Sequence, residues 1–151
     1  RELVAAETFI GANGIVSAAD GEAVYVADLF GLHRVEADGS HGLLEPPVGV
    51  VTLGGIDGLD RQGSLLVGVQ NLFSPGRIWA LTLAEDGRSL TDARILDDGH
   101  PRLQGPTTGV FTGPGRFWYL GNASMQFGPE GMTKAGPEDR HVILELLTAT
   151  R

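Results

Sequence analysis

NGIVSAADGEAVYVAD, residues 13–28, is answered by DGLDRQGSLLVGVQ, residues 57–70, and again by TTGVFTGPGRFWYLGN, residues 107–122. Each stretch is a short apolar strand, a polar turn containing glycine, and a second apolar strand. The glycines that align the copies, Gly14, Gly58 and Gly109, stand 44 and then 51 residues apart. Four-stranded units repeating every ~40–50 residues are the sequence signature of β-propeller blades. The first two copies also place a polar residue, Asn13 and Asp57, immediately before the glycine.

The flanking sequence extends each copy. Val24–Ala27 and Leu32–Val35 have the β-branched and aromatic content of strands, and Asp38-Gly39 is a hairpin turn leading to Leu43-Leu44. The first unit therefore holds about four strands between residues 13 and 53. In the second, strands are expected at Gly58–Asp60, Ser64–Val69, Arg77–Leu83 and Ala93–Leu96, with Glu85–Arg88 in the place of Asp38-Gly39. The third has Gly109–Phe111 and Arg116–Leu120, a Gly- and Pro-rich stretch over Gly128–Pro137 that reads as an exposed loop, and a last strand at Val142–Leu147. Residues 2–9 suit either a turn of helix or an entering strand. Val24–Ala27 and Leu65–Val69 are apolar on both faces, as strands covered on both sides are. An ordinary β-sandwich is the competing architecture.

The expected fold is all-β: one domain over residues 1–151, in about three four-stranded propeller blades at roughly 8–53, 54–100 and 101–151. Three blades do not close a ring of the usual ~4–8. They are half of a six-bladed propeller, and the open faces call for a second copy of the chain or for a missing N-terminal half.

With 151 residues, 42% hydrophobic and 20% charged, the chain is long enough to bury a core. The 23 glycines exceed the usual ~7% and follow no fixed period, so they read as turns. Net charge is −8 and Lys134 is the single lysine, which disfavours nucleic acid as a partner. No cysteine is present, which removes disulfides and thiolate chemistry. No apolar run approaches the ~20 residues of a membrane span, so no membrane partner is expected. The chain opens at Arg1 with neither an initiator Met nor a signal peptide, as a processed product or one part of a longer polypeptide does. The compartment is not legible.

Three segments carry a resemblance: ANGIVSAADGEAVYVADLFGLHRVEADG (12–39), IDGLDRQGSLLVGVQNLFSPGRIWAL (56–81) and PTTGVFTGPGRFWYLGN (106–122). Together they resemble the second half of the senescence marker protein/regucalcin and gluconolactonase family and, more distantly, the paraoxonases. The resemblance spans roughly residues 10–122. It implies a metal-dependent lactonase or esterase acting on a small-molecule lactone or ester. In that family an Asn-Gly and an Asp-Gly open consecutive blades, and their polar residues hold a divalent metal at the channel mouth. By position these are Asn13 and Asp57. Amide and carboxylate oxygens suit Ca²⁺, Mg²⁺ or Mn²⁺, with Zn²⁺ as a further candidate. Such an ion polarises a carbonyl and acidifies a bound water. The family's glutamate ligand comes from a first blade with no counterpart here; Glu2 and Glu7 lack its context. A non-catalytic propeller segment used for binding or assembly, or an inactive truncated half, is the alternative.

The same residues have simpler readings. Asn13 suits a left-handed turn and Asp57 a turn cap. Asp60 reads as part of a turn, and Asn122 as a loop residue or a channel-facing strand end. His33 and His41 read as surface groups, and His141 as the start of the last strand. His100, between units, is a candidate proton shuttle beside Asp57 as the second catalytic candidate. Trp79 and Trp118 read as packing groups. HExxH, Walker, GxSxG and EF-hand motifs are absent, against serine-nucleophile and nucleotide chemistry.

Overall fold

The computed structural model describes residues 1–122, 125–128, 131–134 and 141–148. Among them the chain is all-β, with no helix and so none long and apolar enough to cross a membrane. The first antiparallel sheet holds β1 (Ile15–Ser17), β2 (Ala23–Ala27), β3 (Leu32–Glu36) and β4 (His41–Leu43) in chain order. The second repeats that order with β5 (Ile56–Gln62), β6 (Leu65–Gln70), β7 (Arg77–Leu83) and β8 (Leu90–Asp97). The local reason is the expected one. Strand-forming runs are joined by tight turns, and Gly39 (φ 91°) and Gly87 (φ 66°) take the left-handed conformation their hairpins require.

The third sheet differs from the plan. It has three strands in the order β13–β10–β9, from β9 (Gly109–Gly113), β10 (Arg116–Asn122) and β13 (Val142–Leu147). The expected loop at Gly128–Pro137 is, where described, half of a hairpin of β11 (Met125–Gly128) with β12 (Gly131–Lys134). Residues 129–130 and 135–137 lie outside the described residues. β13 thus takes the position next to β10 that β7 takes next to β6, across an insertion. Residues 2–9 form neither helix nor strand. They run as turns over the first sheet, with Phe9 edge-on to His33 and His41.

The sheets pack face to face, and the second is covered on both sides. Alternation along β6 sends Leu66 toward the first sheet, with Tyr25, Leu32, Trp79 and Leu81. It sends Val67 and Val69 toward the third, with Ile78, Phe117 and Tyr119. Both faces of the strand are therefore apolar. The sheets converge on their first strands, and the aligned glycines permit it. A Cβ on Gly14 would stand 2.8 Å from Leu59 Cβ and 3.2 Å from Asp57 O. One on Gly58 would stand 2.5 Å from Thr108 Cα and 2.7 Å from Thr107 O. Each glycine admits the backbone of the next sheet's first strand.

Polar ties cross the same seams. Asp60 is not in a turn: it lies within β5, and its Oδ2 accepts the Phe111 N–H at 2.7 Å. Gln62 accepts from Gly115 N and donates to Gly113 O, while Arg61 Nε donates to Ser17 O. Trp79 is a packing group as expected; its indole N–H donates to the fully buried Gln70 at 2.9 Å. Trp118 is not. Its ring faces away from the second sheet and is 42% exposed, with Val110 and Ile143 on the same face.

Candidate functional site

All the connections between β2 and β3, β4 and β5, and β6 and β7 emerge at one end of the sheets, and the polar cluster sits there. Asn13 precedes β1, where its N–H donates to Ala27 O at 3.0 Å. Its backbone is not left-handed, which removes the simple turn reading. Asp57 lies near the start of β5 at a break in register between Ile56 and Gly58, which turns its side chain out of the regular ladder. The Asn13 amide donates directly to Asp57 Oδ1. The two residues that the repeat places at equivalent points thus meet across the seam between sheets.

A third residue joins them. Asn71 follows β6, and its Nδ2 donates to Asp57 Oδ2 at 2.6 Å, so both carboxylate oxygens are held by amides. Sequence reading passed over Asn71. The signal was available in the repeat: Asn71 closes its strand, before Leu-Phe, as Asp28 does before Leu29-Phe30. Partial burial pushes the Asp57 carboxyl above the ordinary aspartate range, and the Asn71 amide offsets part of that rise.

One carboxylate and two amides bring hard-oxygen groups together. A half-turn of each amide about Cβ–Cγ exchanges the donor nitrogen for an acceptor oxygen. Oxygen donors of these types suit Ca²⁺, Mg²⁺ or Mn²⁺, whose shells take six or more oxygens in total. It does not fit a nitrogen- or thiolate-ligated ion. Among the described residues no group of three or more His, Cys, Asp or Glu is placed to hold a metal.

His100 is not brought to this cluster. It follows β8, and its hydrogen bonds are to Asp97 and Arg102 rather than to Asn13, Asp57 or Asn71. Its Nδ1 accepts the Arg102 N–H at 3.1 Å, and its own N–H is taken by Asp97. Asn122 is buried at the end of β10 rather than in a surface loop, and its carbonyl faces His141 Nδ1 at 3.3 Å. His33 is largely buried too, not a surface group. Its Nε2 stands 3.1 Å from Asp28 Oδ1. Asp28 accepts from Phe30, Gly31 and Ile10 N–H groups, and these together hold its carboxyl low against the cost of burial. Its role is to fix a turn.

No protein-family model matches this chain, and no curated protein matches it.

Proposed function

We propose that the three sheets are consecutive blades of a β-propeller, three of a six-bladed ring, and that Asn13, Asp57 and Asn71 belong to the divalent-cation site of a lactonase or esterase of the regucalcin/gluconolactonase kind. The observation that carries this reading is the meeting of Asn13 and Asp57 side chain to side chain, 44 residues apart at the same point of the repeat. The chain-order meanders of the first two sheets support the blade assignment. The adjacency of first strands at Gly14 and Gly58 supports it as well. The outward face of the third sheet bears exposed Val110, Trp118, Ile143 and Leu147. It is the place for a further blade, from a second copy of the chain or from an N-terminal half.

A Ca²⁺, Mg²⁺ or Mn²⁺ ion bound there supplies Lewis acidity toward a lactone or ester carbonyl. The protein groups hold and orient. Asp57 provides the negative charge, and Asn71 fixes its carboxylate plane from the side opposite Asn13. The Asp57 carboxylate is also the one carboxylate of the cluster. His100 has no part in the proposed chemistry. The non-catalytic reading has one observation in its favour, that a single carboxylate serves the cluster.

The test is thermal unfolding with Ca²⁺, Mn²⁺ or EDTA, run beside hydrolysis of a simple lactone. At a hundredfold excess over Kd, a cation adds about 2.7 kcal/mol of stability. For a chain of this size that raises Tm by ~5–10 °C. Asn13→Ala and Asp57→Ala should abolish the rise. A Tm indifferent to cation and to EDTA would sink the metal site, and a cation response without turnover would favour the binding module.

A further inference from the structure

Among the described residues the third sheet stops one strand short of the other two. β4 pairs with β3 and β8 with β7, both antiparallel, and each fills the fourth place of its sheet. β13 holds the third place, beside β10, and among the described residues no strand pairs with its other edge. Thr148 N donates to Gly115 O at 2.8 Å, which sets the alternation of the ladder. Leu146 and Leu144, in phase with Thr148, therefore bond to β10. Ile143, Glu145 and Leu147 direct their N–H and C=O groups away from it, toward the open edge.

The outer edges of the first two sheets are guarded. β4 is only three residues long, and β8 carries Asp92, Arg94 and Asp97 on a ladder that breaks register twice. Short strands, charges and breaks keep an edge from pairing with a second chain. β13 has a single charge and no other guard. Its VILELL sequence runs six residues without Pro, in unbroken register with β10 from Leu147 to Ile143. The one charge is already engaged inside the sheet: Glu145 Oε2 accepts from Trp118 Nε1 at 2.5 Å and stands 3.6 Å from Arg116 Nε. Ile143 and Leu147, which bear outward-directed backbone groups, are exposed.

We propose that the open edge of β13 pairs antiparallel with β13 of a second copy, each chain supplying the fourth strand of the other's third sheet. An open edge selects an extended strand with an open edge of its own, and β13 is such a strand. The antiparallel sense is that of β4 and β8 in their sheets. A strand paired antiparallel with its own copy is two-fold symmetric, so the assembly closes at two chains and needs no second surface. A register centred on Leu144 sets Val142 opposite Leu146 and Ile143 opposite Glu145. Ile143 and Glu145 both point their backbone groups outward, so the two such pairs exchange about four hydrogen bonds. Centring on Glu145 instead would set two glutamates face to face. The pairing uses the edge of the third sheet, not its outward face, and is independent of the cation reading.

The experiment is sedimentation velocity of the full chain from about 10 µM to 1 mM, where a small interface should give a dimer that dissociates on dilution. Ile143→Pro removes an N–H that β10 does not use and should weaken the dimer about tenfold or more. Ile143→Thr keeps that N–H and the strand propensity and should leave the dimer nearly as strong. The chain has no cysteine, so introduced thiols report the register without background. Ile143→Cys and Glu145→Cys chains, mixed and oxidised, should form a disulfide-linked heterodimer, since residues paired in this way lie ~5.5 Å apart at Cα. This test does not depend on the proline variant folding. A chain that stays monomeric throughout the range would overturn the proposal, as would a mixture that does not cross-link. A dimer weakened as much by Ile143→Thr as by Ile143→Pro would place the contact on the outward face and overturn it too.

Discussion

Gly58→Ala isolates the contact on which the arrangement of the sheets depends. An alanine methyl there would lie 2.5 Å from Thr108 Cα and 2.7 Å from Thr107 O, both backbone atoms of the adjacent sheet. Ordinary contact needs ~3.5–4.0 Å, so the first strands must part by about 1 Å or the strand must twist. No side chain can swing aside to absorb this. Overpacking in a close-packed interior costs ~1–3 kcal/mol, and an obstacle made of backbone places this case near 3 kcal/mol. At 151 residues that lowers Tm by roughly 6–12 °C. Gly42→Ala is the matched control. It is also a strand glycine without a positive φ, but a Cβ there meets nothing within 4 Å. Loss of backbone freedom in the unfolded chain should make Gly42→Ala neutral or stabilising by up to ~1 kcal/mol. Urea unfolding of the two variants beside the parent measures the difference directly. If Gly58→Ala comes within 1 kcal/mol of Gly42→Ala, the first strands do not meet as described, and the equivalence of Gly14 and Gly58 loses its structural meaning.

Two further outcomes follow from buried polar groups. Because burial raises the Asp57 carboxyl, the folded protein binds that proton more tightly than the unfolded chain does. The associated stability is present below the ordinary aspartate range of about 4 and is lost as pH rises through the folded value. Asp57→Asn in EDTA should therefore gain on the parent in Tm between pH 4 and pH 7, and parallel profiles would contradict the assignment. Trp79→Phe leaves Gln70 Oε1 without its donor in a fully buried position and should cost about 1–3 kcal/mol in urea unfolding. A loss below about 0.5 kcal/mol would mean that Gln70 finds another donor.

Most strands were readable because what defines them is close in the chain. Val24–Ala27, Leu65–Val69 and Arg77–Leu83 are apolar runs between turns, and each lies within or beside an observed strand. The Asp-Gly pairs at 38–39 and 86–87 marked hairpins that are present. The misreadings share a cause. Asp60 read as a turn residue until its carboxylate was seen to take a backbone N–H from a strand 51 residues away. The last strand of the third unit stands where it was expected, at Val142–Leu147, but the sheet has three strands rather than four, and part of the stretch that read as a loop is a β11–β12 hairpin. Phe9 over His33 is likewise a contact between segments with no local reason to meet.

Apolar alternation, β-branched content and glycine-bearing turns act over a few residues, so the chain alone carries its all-β character, its repeat and the equivalence of Asn13 with Asp57. Whether those two side chains touch, and that Asn71 holds the far oxygen of the same carboxylate, are facts of a different order. They depend on how closely three sheets approach at Gly14 and Gly58 and on a break in the β5 ladder at Asp57. Strand propensity is local, but a site is made where separate strands converge, and only packing brings them there.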